Sequence, residues 1–205
     1  MNNLNKKVLI LANNASGLIS FRIELLKRLI GEGYTVVVSV PDDDRAKDIE
    51  AVGARVLTMK IERRGTNPLK DLQLLANYRE LIKSEKPDVI LTYTIKPNVY
   101  GGMAARMCGV PYIVNITGLG SAVENPGILQ KITVAMYRVA MKKASCIFFQ
   151  NKGNEQFFAT RNIRNDVHRI IPGSGVNLDR FTYTEYPAAN QPLRFVYISR
   201  IMGAC

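Results

Sequence analysis

Arg22 and Lys96, together with two glycine-bearing turns, are groups in this 205-residue chain suited to holding a phosphate. Asn13-Asn14-Ala15-Ser16-Gly17 follows the apolar run Val8 to Ala12, where free backbone N–H groups and a helix dipole can hold an anion. Ser16 also reads as the N-cap of the helix that follows, so the loop is an anion cradle or a plain turn. Arg22, about one turn further on, can reach the same anion or decorate the surface. Lys96 lies between Thr92-Tyr93-Thr94 and the stiff Pro97, a place that would fix a cation against a diphosphate, although most lysines are simply solvated. Lys60, Arg63, Arg64 and Lys70 surround Gly65-Thr66-Asn67-Pro68. That basic loop can meet a lipid diphosphate or anionic headgroups, or remain a solvated surface.

Gly118-Leu119-Gly120-Ser121-Ala122-Val123 begins like a dinucleotide fingerprint. It lacks the third glycine and the acidic residue about twenty positions on, which weighs against nicotinamide binding. A loop closing over a sugar fits better, with an ordinary turn as the alternative. His168, the one histidine, precedes Arg169-Ile170-Ile171 with no Ser, Cys or paired carboxylate in a recognisable motif, and reads as structural. Cys108, Cys146 and Cys205 are odd in number and lack a Cys-x-x-Cys pair, so neither disulfides nor a zinc site is expected. Three free thiols, no metal and no cofactor are expected.

The elements that must position these groups alternate regularly. Lys7 to Ala12 and Thr35 to Val40 are near-continuous apolar runs, as parallel strands covered on both faces require. Between them Leu18, Ile19, Phe21, Leu25, Leu26, Leu29 and Ile30 recur at helical spacing, with Gly31 or Gly33 as the stop. The pattern continues with a short helix from Asp44, a strand Arg55 to Met59, a helix after Pro68 and a strand Asp88 to Tyr93. A helix after Pro97, a strand Tyr112 to Asn115, a helix Gly127 to Lys143 and a strand Ser145 to Phe149 follow. In the long helix, Ile128, Leu129, Ile132, Ala135, Met136, Val139 and Ala140 form one stripe, with Lys131, Arg138 and Lys142 elsewhere; a basic amphipathic helix can lie on a membrane, but this stripe is expected to pack on the sheet. This is an α/β fold with a doubly wound parallel sheet, Rossmann-like, whose ligands bind beyond the carboxyl ends of the strands.

Near the end, Pro172-Gly173-Ser174-Gly175 is turn chemistry, and Arg194 to Ser199 reads as a strand. The domain assignment is 1–185 for one Rossmann-like domain and 186–205 for a linker and the first strand of a second. The formal net charge of +11 invites a polyanionic partner. Nucleic acid is disfavoured, since neither an aromatic RNP pattern nor a zinc finger is present. No stretch has the length of a membrane-spanning helix or the form of a signal peptide, so the expected location is cytoplasmic, with contact at the inner face of the cell membrane.

Five stretches in order, Asn14-Ala15-Ser16-Gly17-Leu18, Tyr93-Thr94-Ile95-Lys96-Pro97-Asn98, Asn115-Ile116-Thr117-Gly118-Leu119-Gly120, Pro172 to Phe181, and Ser199-Arg200-Ile201-Met202, resemble the family 4 glycosyltransferases. These are retaining enzymes of the GT-B type, in which two Rossmann-like domains face each other across a cleft. The resemblance implies the acceptor-side N-terminal half of a transferase that moves sugar from a nucleotide sugar, a UDP-sugar, to a lipid-linked glycan of surface polysaccharide. It places Ser16, Gly17, Arg22, Arg63 and Lys96 at the acceptor, Gly17 and Arg200 at the donor diphosphate, and Thr117 and Gly118 at the catalytic centre. A histidine of the family falls where this chain has Thr117 and is not carried over. Without the second domain's donor-gripping residues, the chain alone is expected to be inactive. The alternative reading is a non-catalytic module that recognises a lipid diphosphate or a partner domain.

Overall fold

The computed structural model describes residues 6–62, 67–120, 123, 126–163, 167–186, 192 and 194–198. Arg63, Arg64, Gly65, Thr66, Ser121, Ala122 and Arg200, all named above, lie outside the described residues. The chain divides into two compact units, 1–175 and 176–205.

The first unit alternates strand and helix. Its strands are β1 (Lys7–Leu11), β2 (Thr35–Val40), β3 (Arg55–Thr58), β4 (Val89–Tyr93), β5 (Tyr112–Ile116), β6 (Cys146–Phe149) and β7 (His168–Ile170). Its helices are α1 (Ala15–Gly31), α2 (Ala46–Glu50), α3 (Pro68–Glu85), α4 (Gly102–Cys108), α5 (Ile128–Met141) and α6 (Lys152–Thr160). A π-helical turn, Pro97–Gly101, leads directly into α4. The strands form one parallel sheet in the order β3-β2-β1-β4-β5-β6-β7.

That order follows from right-handed crossovers. From β1 the chain steps outward through α1 and α2, whose buried residues Leu18, Ile19, Leu26 and Ile49 pack with Val8, Ile10, Val36 and Val38. It then crosses back and steps the other way. α3, α4, α5 and α6 therefore lie on the opposite face, where Tyr78, Ala105, Tyr137 and Phe158 pack with Leu9, Leu11, Val114 and Ile147. The direction reverses between β1 and β4, the adjoining pair that registers Leu11 with Thr92. The loops after these two strands diverge to opposite faces and leave a crevice between them.

Two expectations are corrected here. The apolar stripe of α5 faces the sheet only in part: Ala140 is buried and Met136 packs on the core, but Ile128 is 78%, Ile132 51% and Val139 47% exposed, and Thr133, Val134, Tyr137 and Met141 share the inward face. The inward face holds groups that a hydrophobicity pattern counts as polar. The Thr133 hydroxyl is satisfied by donating to the Leu129 carbonyl at 2.8 Å, and the Tyr137 ring packs edge-on against Phe158 with centroids 5.1 Å apart. The second correction is α6, which was not foreseen. Its sequence, Lys-Gly-Asn-Glu-Gln-Phe-Phe-Ala-Thr, is weakly helical, but Asn151 caps it by accepting from the Asn154 N–H at 2.8 Å and Phe158 anchors it in the core.

In the second unit, Asn177 Oδ1 accepts from the N–H groups of Asp179 and Arg180 at 2.9 and 3.1 Å, closing a short turn. Residues 194–198 are exposed and form no strand, contrary to expectation. Strand conformation persists only where a neighbour takes up the ladder hydrogen bonds, and the described residues of this unit provide none.

Candidate active site at the switch point

The loop after β1 is built by Asn14. Its backbone is extended, and its side chain caps α1 by accepting from the Gly17 N–H. Ser16, expected as the cap, lies instead in the first turn and is half-buried. Gly17 is required by this cap, since a Cβ there would come within 2.6 Å of Asn14 Oδ1. Capping takes up the Gly17 N–H. The N–H groups of Ala15 and Ser16 have no acceptor within the helix by geometry, and they carry the positive end of its dipole.

Arg22 extends from α1 over the end of β4. Its guanidinium lies 5.2 Å from the centre of the Tyr93 ring, which is buried among the residues packed under α1. Burial pushes the Tyr93 hydroxyl above its usual value, opposed by the charge and hydrogen bond of Arg22. The next residue, Thr94, is held at φ +72°. That left-handed conformation is costly for a β-branched side chain, by about 1–3 kcal/mol. It persists because the Thr94 carbonyl accepts from the Asn98 N–H at 2.9 Å and its hydroxyl donates to the Tyr93 carbonyl.

Buried Asn98 donates its side-chain amide to the Asn115 carbonyl at 3.0 Å. Asn115 in turn donates its own amide to the Thr92 carbonyl at 3.2 Å. The ends of β4 and β5 and the π turn are thereby tied together by amides. Thr117 and Gly118 follow β5 and are exposed, with Gly118 open on its α-carbon side. Gly120, at φ +69°, lies so close to Ile95 that a Cβ would approach its Cδ1 to 3.0 Å. Through this contact the loop after β5 leans on the loop after β4.

Lys96 faces the other helical layer. Its ammonium pairs with Asp71 Oδ1 at 2.6 Å, both side chains being largely buried, and the Tyr100 hydroxyl donates to Asp71 Oδ2 at 2.9 Å. Burial and the neighbouring Asp71 charge push the Tyr100 hydroxyl well up, keeping it protonated as the donor. The cation assigned to a diphosphate is thus engaged by a carboxylate of α3. Lys70, from the same basic set, pairs with Glu62 at 3.2 Å, and Lys60 is exposed. His168 pairs with Glu155 at 2.8 Å and lies edge-on to Phe149, away from the crevice strands. Among the described residues no group of His, Cys, Asp and Glu could hold a metal ion, and no helix is long and apolar enough to cross a membrane.

The crevice therefore joins Ser16, Gly17 and Arg22 to Tyr93 and Thr94, with Thr117 and Gly118 on the adjoining loop. It offers N–H groups, a guanidinium and hydroxyls, a set suited to a phosphorylated ligand with hydroxyl groups. Residues 7–151 match the family described as glycosyl transferase 4-like. The chain belongs to that family.

Relatives within it share part of this sequence. The chain is 24% identical over 176 residues to N,N'-diacetylbacillosaminyl-diphospho-undecaprenol alpha-1,3-N-acetylgalactosaminyltransferase of Campylobacter jejuni, covering 83% of this chain and 47% of that protein. It is 36% identical over 133 residues to UDP-Gal:alpha-D-GlcNAc-diphosphoundecaprenol alpha-1,3-galactosyltransferase of Escherichia coli, covering 62% and 32%. The chain thus spans less than half the length of either. A glycosyltransferase from Rickettsia africae superposes with a TM-score of 0.65 at 19% identity, over 87% of this chain and 45% of that one. Anabaena HepE in complex with UDP and glucose superposes with a TM-score of 0.62 at 17% identity, over 85% and 46%. The fold of this family's member is the doubly wound, Rossmann-like sheet read from the strand runs.

Tyr93, Thr94, Asp71 and Tyr100 were not singled out from sequence as site residues. Tyr93 and Thr94 lie within a motif that was noticed, and their position at a strand end beside the switch point is the signal that could have found them. Asp71 gave none, because its link to Lys96 spans 25 residues and exists only after α3 has folded onto the sheet.

Proposed function

We propose that this chain is the acceptor-side half of a retaining glycosyltransferase that moves sugar from a UDP-sugar to a lipid-linked glycan of surface polysaccharide, at the cytoplasmic face of the membrane. The observation that carries the proposal is the switch-point crevice in a member of the glycosyl transferase 4-like family. In support, the Campylobacter and Escherichia relatives are both named as transferases acting on sugars linked to diphospho-undecaprenol. In this reading the first turn of α1 and Arg22 take the acceptor's diphosphate, and Thr117 and Gly118 lie beside the transferred sugar. Sugar transfer with retention then depends on orientation and on N–H groups and cations that stabilise the departing phosphate. Arg63 at the acceptor and Arg200 at the donor diphosphate complete the proposed set, and no metal or cofactor has a role in it.

Isothermal titration with a short-chain polyprenyl-diphosphate sugar tests the assignment. The chain should bind this acceptor, Arg22→Ala should weaken binding by about tenfold, and UDP-sugar should bind poorly. Absence of acceptor binding would overturn the acceptor assignment. Efficient sugar transfer by this chain alone would overturn the division of labour.

A further inference from the structure

Tyr93 closes β4 at the switch point and is 5% exposed, in one apolar cluster with Ala15, Leu18 and Ile19. Its backbone is held from both sides. The Thr92 carbonyl accepts from the Asn115 amide at 3.2 Å, and the Tyr93 carbonyl accepts from the Thr94 hydroxyl. A strand residue so tied presents its ring as a fixed platform, and the Arg22 guanidinium rests against it, 5.2 Å from the ring centre. Arg22 Nη1 also donates to the Phe21 carbonyl at 2.6 Å.

The charge on Arg22 is unmatched. The side chain is half-buried, and among the described residues no carboxylate pairs with it, whereas Lys7, Lys70 and Lys96 each meet one. A ring and a backbone carbonyl orient a guanidinium without neutralising it, so its charge is available to an anion. An arginine that closes on a ligand from a mobile state loses several torsions, and that ordering costs affinity. Stacking on a fixed ring removes much of the cost before the ligand arrives.

We propose that Tyr93 is a positioning residue: its ring holds the Arg22 guanidinium in place at the end of β4, so that the cation meets the acceptor's diphosphate already ordered. This rests on the reading that Arg22 takes that diphosphate, and the tests separate the two. In the free wild-type chain, nitrogen relaxation of the Arg22 Nε–Hε group, assigned by its loss in Arg22→Ala, should show a side chain nearly as rigid as the backbone. A mobile Nε would overturn the proposal without touching the role of Arg22. Titration with the short-chain polyprenyl-diphosphate sugar should find binding about fivefold weaker in Tyr93→Leu and within about twofold of wild type in Tyr93→Phe, which keeps the ring. In an Arg22→Ala background, Tyr93→Leu should weaken binding no further while still lowering the melting midpoint, because the ring acts on the ligand only through Arg22. A loss that adds in full to that of Arg22→Ala would overturn the proposal and make Tyr93 a packing residue. So would unchanged binding by Tyr93→Leu beside a weakened Arg22→Ala, a result that leaves the acceptor assignment standing. Absence of acceptor binding by wild type, or full binding by Arg22→Ala, would remove that assignment and this proposal with it.

Discussion

Thr94 has the least comfortable backbone of the residues around the crevice. Its φ of +72° suits glycine, so Thr94→Gly should relieve strain and raise the melting midpoint by a few degrees, about 1 kcal/mol. The same change should weaken acceptor binding in titration, because Gly removes the hydroxyl that locks the strand end to Tyr93. A stability loss with intact binding would show that Thr94 is ordinary loop packing. The Asp71–Lys96 pair gives a second expectation at this scale. Either single change, Asp71→Ala or Lys96→Met, strands a largely buried charge and should cost about 3 kcal/mol, whereas the double variant should lose clearly less than the sum. Chemical denaturation of all four proteins measures the coupling. Residue by residue, the sequence showed which groups could bind phosphate but not which were already occupied. Lys96 looked free because its partner lies on another helix, and Ser16 looked like the cap because Ser and Asn are near equals at that position. Only the extended backbone at Asn14 decides between them.

Among the elements, the π turn approaches β1 closely. A Cβ on Gly101 would meet Leu11 Cδ1 at 2.7 Å in a region where Leu11 is fully buried. Gly101→Ala should therefore destabilise by about 1–3 kcal/mol, read as a lowered denaturation midpoint, and the displacement should propagate to Asn98 and the strand ends it ties. A neutral result would mean that Leu11 can repack. Strands and most helices were legible because runs of Val, Ile and Leu covered on both faces have a distinctive period. α6 was not, since its helical state depends on a cap and one buried Phe158 rather than on composition. α5 was legible as a helix but not in its orientation. With apolar residues on two sides, periodicity leaves the inward face undetermined, and long-range contacts such as Tyr137 on Phe158 and the Tyr112 hydroxyl on the Ala140 carbonyl fix it.

For the molecule as a whole, a charge cluster clamps the sheet at the end remote from the crevice. Glu85, at the close of α3, bonds Arg55 of β3 and Lys7 of β1, the latter at 3.2 Å. Burial pushes the Glu85 carboxyl up, but hydrogen bonds and charge from Arg55 and Lys7 hold it below its ordinary 4.5. A carboxyl lowered on folding contributes stability above its unfolded value and loses it as pH falls through the folded one. Glu85→Gln should therefore melt below wild type near neutral pH, and the two curves should converge as pH falls below the ordinary carboxylate range. A constant gap across that range would remove the linkage. Overall topology was readable because alternating elements leave few right-handed arrangements; the long-range clamp was not, because its members lie 30 and 78 residues apart. At one margin of the sheet stands β7, three residues long and wholly exposed, with His168 and Arg169 in it. So brief a border, with the charged Arg169 in it, offers little template for a foreign strand to zip onto, and a crowded solution of this chain is thereby guarded against fibrous growth along that side.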